Sequence, residues 1–158
     1  MARRVFFSFH HDRDVFRVGQ IRNAWVVTGE APPLLDHADW EKVKRQGDAA
    51  IKNWIDNQLH GASVTCVLIG AETATRPWVR YEIEKSFSDG KALLGITVHN
   101  MKSIDGKTDY PGTNPFSLIK LMDGTLLSQY VSIYDWVQND GRNNVGRWIE
   151  AAAKQFGR

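Results

Sequence analysis

Ser63-Val64-Thr65-Cys66-Val67-Leu68-Ile69 is rich in β-branched side chains and shows no alternation of polar and apolar residues. A strand with one face in water alternates, and a strand covered on both faces does not. The run therefore reads as a central strand of a parallel sheet. Two similar runs lie on either side of it in the chain, Arg4-Val5-Phe6-Phe7-Ser8-Phe9 and Ala92-Leu93-Leu94-Gly95-Ile96-Thr97-Val98. Leu34-Leu35 and Tyr130-Val131-Ser132-Ile133-Tyr134 are candidate outer strands.

The segments between these runs carry helical spacing. Val15, Val18, Ile21 and Trp25 recur at three- and four-residue steps. Asp39 is placed to cap a second helix with the apolar face Trp40, Val43, Ile51, Trp54, Ile55 and Leu59, interrupted at Gly47. Pro77 suits the first turn of a third helix, which runs to about Asp89 and is stopped by Gly90. Val145, Trp148, Ile149, Ala152 and Phe156 mark a last one. Strands alternating with helices in this order predict a flavodoxin-like, doubly wound α/β fold. The expected sheet is mostly parallel and five-stranded, with strand one central and helices on both faces. The 158 residues make a single domain, 1–158. Its ligand crevice is expected beyond the carboxyl ends of the strands.

Composition narrows the function classes. Hydrophobic residues make up 42% and charged residues 24%, the balance of a globular domain rather than a disordered or fibrous chain. No apolar run approaches the ~20 residues that cross a bilayer, so no membrane span is expected. Met1-Ala2-Arg3-Arg4 leads into too short an apolar stretch for a signal peptide. The single cysteine, Cys66, cannot pair within the chain, and a reduced, cytoplasmic protein is the expectation. A net charge of +2 is too small to argue for DNA or RNA as a partner.

Several chemistries of this fold class fail on their motifs. There is no Gly-x-Gly, so the dinucleotide fingerprint is absent. Gly106-Lys107-Thr108 imitates the end of a P-loop, but Met101 stands at the first glycine position. The central run ends Leu68-Ile69-Gly70, without the aspartate of a phosphoacceptor receiver. No Cys-x-x-Cys, His-Glu-x-x-His or Gly-x-Ser-x-Gly occurs. His10-His11 is the only adjacent histidine pair, and neighbours at a strand end are expected to point apart, so no metal site is expected. The polar segment from His99 to Asn114 is long for a loop in a compact domain, and loops of that length usually carry function or are mobile.

The informative stretch is Thr75-Arg76-Pro77-Trp78-Val79-Arg80-Tyr81-Glu82-Ile83. Val79, Ile83 and Phe87 share one helical stripe and are expected against the sheet. Trp78 and Glu82, four apart, stack on a neighbouring stripe at the carboxyl edge. On spacing alone, a solvated glutamate beneath a half-buried tryptophan explains these residues better than catalysis does.

The whole order says more. Arg4 to His10, Ser63 to Gly70, Trp78-Val79-Arg80-Tyr81-Glu82-Ile83, Asn114-Pro115-Phe116 and Tyr134-Asp135-Trp136-Val137 together resemble a TIR domain. More closely, they resemble the TIR-like subunit family of the bacterial Thoeris anti-phage system. The resemblance implies an enzyme that cleaves the nicotinamide–ribose bond of NAD, which is its substrate rather than a bound cofactor. It also implies a cyclic or conjugated ADP-ribose signal that switches on a separate effector protein. Slow turnover at rest is expected, raised by a phage-derived activator or by self-association.

Glu82 takes the family's catalytic glutamate position. Ser8, Phe9 and His10 at the strand end, Trp78 as a wall, and Asp36 near the possible second strand are the expected substrate contacts. Ordinary packing accounts for Phe9 and Trp78 about as well, and packing or capping is the better account of Asp36 and Trp40. Asn114-Pro115-Phe116 reads as a turn. Two other readings stay open: a nucleoside deoxyribosyltransferase-like enzyme with a glutamate nucleophile, and a TIR-like assembly module without catalysis.

Overall fold

The computed structural model describes residues 3–33 and 37–158. Four strands, β1 (Val5–Ser8), β2 (Val64–Ile69), β3 (Ala92–Thr97) and β4 (Ile133–Asp135), form one sheet in the order β1-β2-β3-β4. Every pairing is parallel, with Ser8 opposite Val67 and Thr65 opposite Leu93. Five helices accompany the sheet: α1 (His11–Trp25), α2 (His37–Arg45), α3 (Asp48–Leu59), α4 (Pro77–Ser88) and α5 (Gly141–Gln155). β2 is buried along its whole length, as its unbroken apolar run predicts.

Strand side chains alternate between two packed layers. Val5, Phe7, Cys66 and Leu94 face α1 and α5, meeting Val18, Ile21, Trp25, Trp148 and Ile149. Phe6 meets Ile51, Ile55 and Leu59 of α3, and Val67 and Leu93 meet Val79 and Ile83 of α4. This is the flavodoxin-like, doubly wound arrangement with helices on both faces.

Of the expected five-stranded sheet with strand one central, the described residues hold four strands, with β1 at the end of their order. On the side of β1 away from β2, the described residues form a single parallel bridge, between Arg4 and Glu30, with Val5 N–H donating to Glu30 O at 2.8 Å. Pro32 and Pro33 follow after Ala31, and without N–H groups they cannot donate to a ladder. The expected strand at Leu34-Leu35 lies outside the described residues. The last strand starts at Ile133, because Leu127–Gln129 forms a short 3₁₀ turn just before the expected start.

The predicted second helix is two helices, α2 and α3. Gly47 sits between them at φ 95°, a left-handed conformation that a side chain resists, and the chain breaks there. Asp39 lies in the first turn of α2 rather than at its cap. α4 begins at Pro77, as expected, and ends one residue before Asp89.

Candidate functional site

The face that α4 turns to the sheet is Val79, Glu82, Ile83 and Ser86, an i, i+3, i+4, i+7 stripe with two polar members. Phe87, expected on that stripe, is 40% exposed. The two polar members each find a partner on the sheet. Ser86 Oγ lies 2.7 Å from Thr65 Oγ1 of β2. One turn earlier, Ser8 at the end of β1 donates its hydroxyl to Glu82 Oε1 at 2.6 Å. Both hydroxyl–partner pairs are buried, so these bonds form where unpaired polar groups would be costly.

Glu82 is only 7% exposed, not the solvated residue that its spacing suggests. Burial pushes its carboxyl up to about 8, with the Ser8 hydroxyl pulling weakly the other way. It lines a cleft at the carboxyl edge of the sheet together with Phe9, His10, Trp78, Trp40 and Trp54.

The opposite wall is a run of rings. Phe9 stacks on His11 (centroids 5.6 Å apart), His11 on Trp40 (5.4 Å), and Trp40 tilts against Trp54 at 5.8 Å. Trp78 meets Tyr81 edge-on at 5.7 Å, and Tyr81 donates its hydroxyl to Asp56 Oδ1 at 2.6 Å, tying α4 to α3. The rim carries two cations and an acid: Lys44 lies over the Trp40 ring and 3.6 Å from Asp12, and Arg76 stands at the start of α4. Burial and then the Arg76 charge hold the His10 imidazole below its usual range. Among the described residues, no group of three or more His, Cys, Asp or Glu gathers to hold a metal ion.

An aromatic cleft with one buried carboxyl can stack a flat ring and give a cation a partner. The family model described as "Thoeris protein ThsB, TIR-like domain" matches residues 6–103. The chain belongs to the ThsB TIR-like family. A relative from Bacillus cereus (strain MSX-D12), named "Putative cyclic ADP-D-ribose synthase ThsB1", is 34% identical over 191 aligned positions. That alignment covers 94% of this chain and 100% of the relative. It is longer than the chain's 158 residues, so the relative carries segments that this ThsB-family chain lacks.

Of the residues singled out in sequence, Phe9, His10, Trp78 and Glu82 line the cleft. Ser8 lies beneath it, 1% exposed, and reaches the cleft only through Glu82. Asp36 lies outside the described residues. His10 and His11 both face the cleft, against the expectation that they point apart, because the chain turns there from β1 into α1. Asn114 Oδ1 accepts from Phe116 N–H at 2.9 Å, so this segment is the expected turn.

Trp54, Lys44 and Arg76 were not legible in sequence as site residues. Trp54 reads in sequence as part of the apolar face of its helix, and it does pack against that cluster while also lining the cleft. The loop from His99 to Asn114 is fastened to α1: Arg17 donates to Met101 O at 2.9 Å, and Arg13 donates to both carboxylate oxygens of Asp109 at 3.0 Å.

Proposed function

We propose that this protein cleaves the nicotinamide–ribose bond of NAD, with Glu82 as the catalytic carboxylate. We propose further that it converts the ADP-ribosyl part into a cyclic or conjugated ADP-ribose signal read by a separate effector. The observation that carries this reading is the Glu82 carboxyl itself: buried in an aromatic cleft, held by one hydroxyl and shifted by no neighbouring charge. The name of the Bacillus cereus relative supports the product class.

Nicotinamide in NAD is already cationic and leaves as a neutral molecule, so its departure needs no general acid. The group in need of stabilisation is the oxocarbenium-like ribose. A carboxylate at contact distance in a poorly solvated cleft favours it far more than the same charge in water would. In the free protein near neutral pH, Glu82 is largely protonated. The positive charge of bound NAD favours its ionisation, so charge on Glu82 develops together with substrate binding. Phe9, His10 and Trp78 would pack the nicotinamide end, and Arg76 and Lys44 stand where the anionic diphosphate can approach. Ring-lined walls that exclude water favour capture of the sugar by an internal acceptor over hydrolysis. A neutral resting carboxyl also fits slow turnover until self-association or a phage-derived activator closes the cleft.

The test is incubation of the pure protein with NAD, alone and with extract from phage-infected cells, following nicotinamide and nucleotide products by chromatography. Nicotinamide together with a cyclised or conjugated ADP-ribose is the expected result. No nicotinamide in either arm overturns the reading, and base exchange on free deoxynucleosides without NAD cleavage replaces it with the transferase.

A further inference from the structure

We propose that Ser8 is a positioning residue for Glu82: its hydroxyl fixes one carboxyl oxygen so that the other faces the cleft, and it favours the ionised form against the developing ribosyl cation. This rests on the reading of Glu82 given above but assigns Ser8 a role other than substrate contact. Two observations carry it. Ser8 is 1% exposed and does not line the cleft, so a ligand in the cleft meets Glu82 and not Ser8. Its hydroxyl lies 2.6 Å from Oε1, the length of a strong bond to a carboxyl group. With Oε1 taken, Oε2 is the oxygen left for substrate.

The sheet dictates this pairing. Along β1 the side chains alternate, which puts Phe6 and Ser8 on the face that carries α3 and α4. Ser8 is the last residue of β1, level with the first turns of α4, so only a short polar side chain there can meet Glu82 without displacing the helix.

The charged and titratable groups around the cleft are His10, His11 and Asp12 at the start of α1, Lys44 of α2, and Arg76 before α4; Glu84 on α4 itself is exposed and paired with Arg80. None of them shifts Glu82. Burial holds its proton on, and the Ser8 hydroxyl alone works to take it off.

A merely structural bond is available for comparison. Ser86 to Thr65 joins the same helix to the same sheet, one turn along and away from the cleft. Together with buried Val79 and Ile83 it keeps α4 seated when Ser8 is shortened, so Ser8→Ala is expected to fold.

The test uses the full chain with ¹³C-labelled glutamate side chains, with Glu82→Gln assigning the signal. Carboxyl titration is followed by NMR in the parent, Ser8→Ala and Ser86→Ala. The expected result is a Glu82 midpoint moved upward by about one unit in Ser8→Ala and unmoved in Ser86→Ala. The second arm is nicotinamide release. Ser8→Ala is expected to lower kcat roughly 10- to 100-fold, the usual weight of a hydrogen bond to a charged group, with KM little changed. Ser8→Thr is expected to recover part of the loss.

An unmoved Glu82 titration in Ser8→Ala overturns the proposal, as does a raised KM at the parent kcat, which would make Ser8 a substrate contact. If the parent releases no nicotinamide even with an activator, the NAD reading fails by itself. The NMR arm then still decides whether Ser8 governs Glu82.

Discussion

Two carboxyl groups are buried at the same edge of the sheet, and they are held in opposite ways. Asp14, on α1, is completely buried and bonded at 3.0 Å to Arg17, itself 3% exposed. Its carboxylate packs so closely on the backbone after β2 that a side chain at Gly70 would collide with it. Arg17 also ties down Met101 and Lys107 of the long loop. Glu82, on α4, meets only a hydroxyl and opens into an aromatic cleft. Burial pushes both carboxyl groups up, and only Asp14 has a cation to oppose it. A buried acid with its own arginine is part of the scaffold. A buried acid whose counter-charge is missing is one that a cationic ligand can complete.

The largest effect that could break this contrast is on stability at Arg17. Arg17→Met strands Asp14 without its counter-charge and releases two loop carbonyls. About 3 to 5 kcal/mol of destabilisation is expected in urea titration, with much of it recovered when Asp14→Leu is added. An Arg17→Met protein as stable as the parent would remove Asp14 from the scaffold side of the comparison.

The opposite behaviour is expected at Glu82. Its folded midpoint, about 8, lies above the ordinary 4.5, so the unfolded chain gives up that proton first. Stability is therefore full below about pH 4.5, falls as pH rises towards about 8, and levels off above. Glu82→Gln removes this slope. It should be more stable than the parent at pH 9 by on the order of a few kcal/mol, with little difference at pH 5. Thermal melts of both proteins across this range sharpen the contrast, and a variant that melts lower at pH 9 contradicts it.

The smallest effect belongs to Glu84, two residues away and exposed, with Arg80 at 2.9 Å. Glu84→Gln should cost no more than about 0.5 kcal/mol and leave nicotinamide release unchanged. A rate loss there comparable to that of Glu82→Gln would mean that general charge on α4, rather than the buried carboxyl, drives turnover.

These differences also mark what could be read from the chain. β2, β3 and the two ends of α4 were legible because their signals are local: short apolar runs without polar alternation, a proline at the start and a glycine after the end. The place of β1 at the end of the described order was not, because among the described residues a single bridge, Arg4 to Glu30, forms beside it. The inward stripe of α4 was misread because two of its members are polar, and only the sheet's own hydroxyls at Ser8 and Thr65 make them welcome there. Glu82 was found through resemblance, whereas its depth and its partner are tertiary facts. So are the cleft walls from α2 and α3 and the pairing of Arg13 with Asp109 across the chain.

The most direct test of the central claim is the pH profile of kcat/KM for nicotinamide release, measured for the parent and Glu82→Gln with an activator present. If the buried carboxyl must ionise to stabilise the ribosyl cation, the parent profile rises with pH and levels off near the Glu82 midpoint of about 8. Glu82→Gln should lack this rise and run about 100- to 1,000-fold slower on the plateau. A parent profile that is flat from pH 6 to pH 9, or a Glu82→Gln protein cleaving NAD at the parent rate, would contradict the assignment.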